Sequence, residues 1–211
     1  MPYDIKPEIN IGAVDLNKII RSSLKETLQI KVNNRLRSSI FVSSIATKLF
    51  DLYEETKENI SLHVIGFDEV SSSRISGESM LDVTIAKTKA IADPKKKNST
   101  ALVSYKLLWA VESEANTGLP AFAEDFSKLI CSKSENYLYL NGLDQIPSNQ
   151  EAYIDRRLNN AVELLEAADM KNTNFFFAFW PSPAKIVSHN LSYWDLHHQK
   201  DLIDMVKVFK L

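Results

Sequence analysis

Three acidic residues stand where a soluble chain seldom keeps them. Trp109-Ala110-Val111-Glu112-Ser113-Glu114 carries two glutamates two apart at the end of an apolar run. In a strand, alternate side chains share a face, so Glu112 and Glu114 project to the same side, about 7 Å apart. Like charges this close raise each other's pKa or recruit a cation. Asp82 lies in a second apolar run, Met80-Leu81-Asp82-Val83-Thr84-Ile85-Ala86, where an unpaired carboxylate would be costly. If the two runs are neighbouring strands, three carboxylates converge. Hard oxygen ligands of this kind suit Mg²⁺, which keeps several waters when bound. The competing reading is plain: a Glu-x-Glu at a strand end is also a common solvated edge.

The elements that must position these residues follow from periodicity. Leu16, Ile19, Ile20, Leu24 and Leu28, then Ile45, Leu49, Leu52 and Tyr53, recur at helical spacing, with a break near Asn33-Asn34. Short apolar runs predict strands at Ser61–Phe67, Met80–Ala86, Leu102–Glu114, Tyr137–Leu140 and Phe175–Trp180. Pro120 opens a helix whose Phe122, Phe126, Leu129 and Ile130 form one buried stripe, leaving Glu124, Asp125 and Lys128 outside. Ile154, Leu158, Ala161, Val162 and Leu165 mark the next helix, and Leu202, Met205, Val206 and Phe209 a last one. Asn141-Gly142 reads as the turn closing the fourth strand. Strands alternating with helices predict an α/β fold with a mixed central sheet flanked by helices on both faces. No repeat or linker divides the chain, so residues 1–211 form one domain, with a helical part over 14–57 and a core over 60–182.

The ordered context resembles the PD-(D/E)xK nuclease superfamily, whose fold is that of many restriction endonucleases. That family carries an Asp on one strand and (D/E)-x-K on the next. The matching positions here are Asp82, Glu112 and Glu114, with Glu114 in the lysine's place, similar to the type II restriction enzymes that use Glu-x-Glu. Leu81 stands where the family's Asp is preceded by proline. The resemblance covers roughly residues 62–180 and adds an acidic residue from the preceding helix, here Glu55, with Glu54 and Glu58 beside it. It implies a restriction-endonuclease-like fold and Mg²⁺-dependent hydrolysis of phosphodiester bonds, with double-stranded DNA as substrate and a homodimer to cut both strands. It implies Asp82 and Glu112 as the metal ligands, and Glu114 as general base or as the residue holding a water of the ion. The rival is the same fold used without catalysis, as a nucleic-acid-binding or protein-assembly module. A nuclease acting on RNA or single strands is a third reading.

Composition narrows the field. The chain has 211 residues, 45% hydrophobic and 25% charged, a globular mix that excludes disordered, collagenous and coiled-coil classes. Net charge is -2 and the pI about 6.1, so a polybasic binder is excluded and a nucleic-acid partner must be argued from a site. No apolar stretch is long enough to span a bilayer, and Met1–Glu8 lacks a signal-peptide core. The single cysteine, Cys131, permits no internal disulfide and points to a reducing, cytoplasmic setting. Beside the helix stripe, Cys131 reads as a partly buried structural thiol. Lys95-Lys96-Lys97 and Ser71-Ser72-Ser73-Arg74 read as solvated loops that phosphates could also contact, and Arg156-Arg157 as partly on an exposed helix face. His189 and His197-His198 lack zinc-ligand spacing. Trp109, Trp180 and Trp194 read as core. No phosphate-binding glycine loop, dinucleotide fingerprint or nucleophile elbow occurs.

Overall fold

The computed structural model describes residues 11–30, 32–53, 59–64, 80–92, 100–170, 172–183 and 196–211. Two helices, α1 (Ala13–Leu28) and α2 (Asn34–Asp51), precede β1 (Ile60–Val64), β2 (Val83–Ala92) and β3 (Thr100–Glu114). Then come α3 (Leu119–Cys131), β4 (Ser134–Leu143), α4 (Pro147–Ala167), β5 (Asn174–Pro181), α5 (Leu196–Asp204) and β6 (Lys207–Lys210). The six strands make one mixed sheet in sequence order. β1, β2 and β3 pair antiparallel, β3, β4 and β5 pair parallel, and β6 returns antiparallel to β5.

Both faces of the sheet are covered. Leu16, Ile20 and Leu24 of α1 and Phe41, Ile45 and Leu49 of α2 pack on Val83, Ile85, Trp109, Val111, Phe176 and Trp180. On the other face, Phe122, Phe126 and Leu129 of α3 and Ile154, Ala161 and Leu165 of α4 pack on Ala110, Tyr139, Phe175, Phe177 and Phe179. β5 therefore has no solvated side, which is why Phe175-Phe176-Phe177-Ala178-Phe179-Trp180 runs apolar without alternation. Trp109 and Trp180 are core, as expected. The Trp109 indole N–H donates to Tyr53 Oη at 3.0 Å, tying the end of the helical pair to the sheet. Among the described residues, no helix is long and apolar enough to cross a membrane.

Several sequence expectations need correction. The break expected near Asn33-Asn34 is present and takes the form of a cap, Asn33 Oδ1 accepting the Leu36 N–H at 2.9 Å. Asn141-Gly142 is no turn, because β4 runs on to Leu143. Glycine is required there by close approach: a Cβ would fall 2.8 Å from the Ala115 carbonyl carbon and nearer still to its oxygen. Val206 and Phe209 do not continue the last helix. α5 stops at Asp204, and Lys207–Lys210 pairs with β5 as a sixth strand, a short β-branched and aromatic stretch suited to a sheet edge. Val162 lies on the exposed side of α4, and Cys131 at the end of α3 is exposed rather than partly buried. Arg156 is exposed but Arg157 is buried; its Nη2 donates to the Thr117 carbonyl at 2.6 Å and its guanidinium lies 4.9 Å from the centre of the Phe122 ring. Residues 65–67 of the first expected strand, Ser71-Ser72-Ser73-Arg74, Lys95-Lys96-Lys97, His189 and Trp194 lie outside the described residues.

The Gly142 contact yields a direct test. Gly142→Ala should destabilise the fold by at least ~2 kcal/mol, because overpacking against backbone cannot be relieved by a rotamer change. A chemical-denaturation midpoint unchanged from the parent chain would contradict the close approach.

Candidate active site

β3 determines where the acidic residues go. Its central stretch is sandwiched between the two cores, and Ala110, Glu112 and Glu114 share the face toward α3. Glu112 is consequently almost wholly buried, with 1% of its surface exposed. Asp82 is not inside β2, as its apolar flanks suggested. It sits one residue before the strand begins, where backbone pairing with β3 has ended at Val83 and Val111. Its side chain takes over the missing rung: the Ser113 N–H donates to Asp82 Oδ2 at 2.8 Å. The carboxylate is thereby held beside Glu112, close enough for the two charges to oppose each other.

Glu114 is half-buried and tied locally, its Oε1 accepting the Asn116 N–H at 2.6 Å. Asn116 Oδ1 in turn accepts the Gly118 N–H at 2.8 Å and shapes the turn into α3. Glu55, Glu54 and Glu58 lie outside the described residues.

Sequence reasoning missed two members of the cluster. Asp125 and Lys128 of α3, expected to be exposed, are half-buried and turned toward the carboxylates, while Glu124 alone faces solvent. Lys128 Nζ donates to Asp125 Oδ1 at 2.5 Å and stands 3.7 Å from Glu112 Oε2. The available signal was their spacing: Asp125 and Lys128 are three apart, on the same flank of the Phe122, Phe126 and Leu129 stripe, so both border it. Tyr139, the register partner of Glu112 on β4, is the third missed neighbour; its hydroxyl is buried without a hydrogen-bond partner among the described residues.

Charge in this pocket is strongly perturbed. Burial pushes the Glu112 carboxyl up to about 8, helped by the Asp82 charge and only partly opposed by Lys128. Asp82 is also raised, by burial against the counteracting Ser113 hydrogen bond. Burial raises Glu114 as well, more than the Asn116 N–H lowers it, and Asp125 adds to the rise. Burial alone would lower Lys128, but its hydrogen bond to Asp125 and the Glu112 charge leave it raised. Tyr139 is held well above its ordinary range by burial and by the Asp125 and Glu114 charges.

Among the described residues, no three histidine, cysteine, aspartate or glutamate side chains stand together as the ligand set of one metal ion. Each carboxylate has its own partner: Ser113 for Asp82, Lys128 for Glu112 and Asn116 for Glu114. One atom is left over. Glu112 Oε1 is buried and has no hydrogen-bond partner among the described residues, an arrangement that costs on the order of 1–3 kcal/mol or more for a charged group. A divalent cation would satisfy it. Mg²⁺ commonly takes one or two protein carboxylates and completes its shell with water and phosphate oxygens, so the Asp82–Glu112 pair fits it without a third ligand.

The raised Glu112 carboxyl carries a pH signature. The folded chain holds its proton up to about pH 8, whereas the ordinary value is 4.5, so the stabilisation is complete below about 4.5 and is lost as pH rises through about 8. Wild-type stability should therefore fall by an order of a few kcal/mol across that window relative to Glu112→Gln, which has no proton to lose. Parallel pH profiles of the two proteins in denaturant would refute the assignment. No protein-family model matches the chain, and neither a curated protein nor a solved structure matches it.

Proposed function

We propose that the chain is a Mg²⁺-dependent endonuclease of restriction-endonuclease-like fold that hydrolyses DNA phosphodiester bonds. The observation that carries this reading is Glu112: a buried carboxylate with one oxygen unsatisfied, set against a second carboxylate that a backbone N–H holds in place. The element order supports it. An antiparallel β1–β2–β3 meander, with Asp82 entering β2 and Glu112 leaving β3, continues through α3 into a parallel strand. That order agrees with the resemblance of Asp82, Glu112 and Glu114 to the nuclease pattern.

Asp82 and Glu112 would hold the ion. When bound, Mg²⁺ would polarise the scissile phosphate and stabilise the charge developing on the leaving oxygen. Lys128 supplies the positive charge that position 114 lacks. It reaches the carboxylates from the helix rather than the strand, and its partly exposed ammonium is available to a phosphate oxygen. Glu114 is the candidate general base: it is half-buried and its pKa is raised, so its carboxylate could take a proton from water. Asp125 keeps Lys128 charged and pointed at the site. Asp82 positions itself through Ser113, so the same hydrogen bond that closes the sheet also aims the ligand.

A second reading is favoured by the same ion pair. With Lys128 3.7 Å from Glu112, the pocket partly balances its own charge, as a non-catalytic nuclease-fold module for nucleic-acid binding or protein assembly would.

Metal binding and cleavage separate the two. Mn²⁺ titrated calorimetrically into the chain without DNA should bind, more tightly at pH 8.5 than at pH 6 because the Glu112 proton must leave. Asp82→Asn and Glu112→Gln should each abolish that heat and reduce plasmid cleavage by at least ~100-fold. Lys128→Ala should reduce cleavage by ~10-fold or more while Mn²⁺ binding persists or tightens. Glu114→Lys should inactivate a site built around Lys128 by adding a second cation. Absence of both metal heat and cleavage in the wild-type chain would leave the non-catalytic module as the reading.

A further inference from the structure

Tyr139 carries an oxygen that its packing does not use. Its ring meets Phe122 and Phe126 of α3 edge to face, each with centroids 5.5 Å apart, and Phe177 of β5 at 5.1 Å. Phe177 is also its register partner on β5, and the tyrosine is wholly buried. Phenylalanine would fill the same place, as it does at positions 175, 177 and 179 in this core. Two other tyrosines of the same core show what a buried hydroxyl ordinarily does. Tyr137 Oη accepts the Ser134 N–H at 2.8 Å and donates to the Ser132 carbonyl at 3.2 Å. Tyr153 Oη accepts from Asn141 at 2.9 Å and from Arg157 at 3.3 Å. Tyr139 Oη has no hydrogen-bond partner among the described residues, a costly condition for a buried hydroxyl.

Its position ties that oxygen to the carboxylates. Tyr139 is the register partner of Glu112 on the adjacent strand, and both side chains lie on the sheet face toward α3. Glu112 Oε1 shares its condition, buried and without a hydrogen-bond partner among the described residues. Asp125 and Glu114 are near enough for their charges to act on the phenol, with Arg157 opposing them. Burial and those two charges keep the phenol protonated, so the hydroxyl retains a hydrogen to donate. Three aromatic neighbours hold the ring, which leaves the O–H torsion to choose an acceptor.

Mg²⁺ keeps several of its waters at protein sites, and outer residues that hydrogen-bond to what surrounds an ion fix its ligands and tune its affinity. We propose that Tyr139 is a positioning residue for a divalent cation at the Asp82–Glu112 pair, its hydroxyl donating a hydrogen bond to the water shell that the ion keeps. The inference rests on the cation site proposed above and adds a residue from β4 to it. It also accounts for the tyrosine itself: the hydroxyl has no partner within the fold because its acceptor arrives with the ion.

Tyr139→Phe in the full chain tests this without recourse to cleavage. Calorimetric titration with Mn²⁺ at pH 8.5 should give a dissociation constant at least ~10-fold above that of the wild type. The metal-free denaturation midpoint should stay the same or rise, because phenylalanine keeps the ring and removes an unsatisfied polar atom. Mn²⁺ should also shift the ultraviolet absorption of tyrosine in the wild-type chain, a change that Tyr139→Phe abolishes at saturating metal. Equal Mn²⁺ affinity in the two proteins would overturn the role of Tyr139 and leave the cation site standing. A wild-type chain that binds no Mn²⁺ would overturn both. A lower metal-free midpoint in Tyr139→Phe would overturn the proposal as well, since the hydroxyl would then have its partner within the fold.

Discussion

The whole arrangement depends on β3 being buried on both faces just where its charges lie. Leu108, Trp109, Ala110 and Val111 leave no solvent above or below the strand, and Glu112 follows with nowhere to turn. A side chain that is ordinarily charged is therefore kept where charge is most expensive. Every neighbour then falls into place as a response: Asp82 anchored by a backbone N–H, Lys128 brought in from α3, and a carboxyl that keeps its proton to about pH 8. A solvated Glu-x-Glu would have needed none of this, which is what separates the pair from an ordinary sheet edge.

α3 gains a second role from the same constraint. Its Phe122, Phe126 and Leu129 fasten it to β4 and β5 through ring contacts with Tyr139, Phe175 and Phe177. The helix that covers the sheet thereby also fixes the azimuth of Asp125 and Lys128. Buried Arg157 holds the β3–α3 turn from behind through Thr117 and stacks against Phe122. Packing on one side of α3 and charge placement on its edge are thus one design, and loosening the former would misdirect the latter.

Much of this was legible in the sequence, and the reasons for the rest are specific. Long apolar runs announced β3, β4 and β5, and the stripe of α3 was readable because its period is helical. Asp82 and Glu112 stood out because carboxylates are rare beside such runs. Glu114 could be placed on the right face by alternation, but its bond to Asn116 is a turn property that alternation does not encode. Asp125 and Lys128 were lost because a helix wheel divides residues into inside and outside, whereas they sit at the border. Asn141-Gly142 looked like a turn because the pair favours turns; here glycine answers a tertiary demand, the passage of Ala115. β6 was lost because Val206 and Phe209 also fit a helical period, and four residues are too few for the strand period to compete.

The unequal lengths of the strands have an evolutionary consequence. From Thr88 to Ala92 and from Thr100 to Lys106, β2 and β3 pair with no other strand among the described residues, so residues can be gained or lost toward Ala92 and Thr100 without disturbing either core or the carboxylates. Changes of two residues on each strand would preserve which side chains point to which face, because the pleat repeats every two. Changes of one would swap the faces unless absorbed by a bulge, as at the register shifts between Ile85 and Ala86 and between Lys87 and Thr88. This stretch of β2 and β3 can therefore lengthen, shorten or invert its presented face across descendants of this chain, while the buried end of the sheet keeps its carboxylates in place.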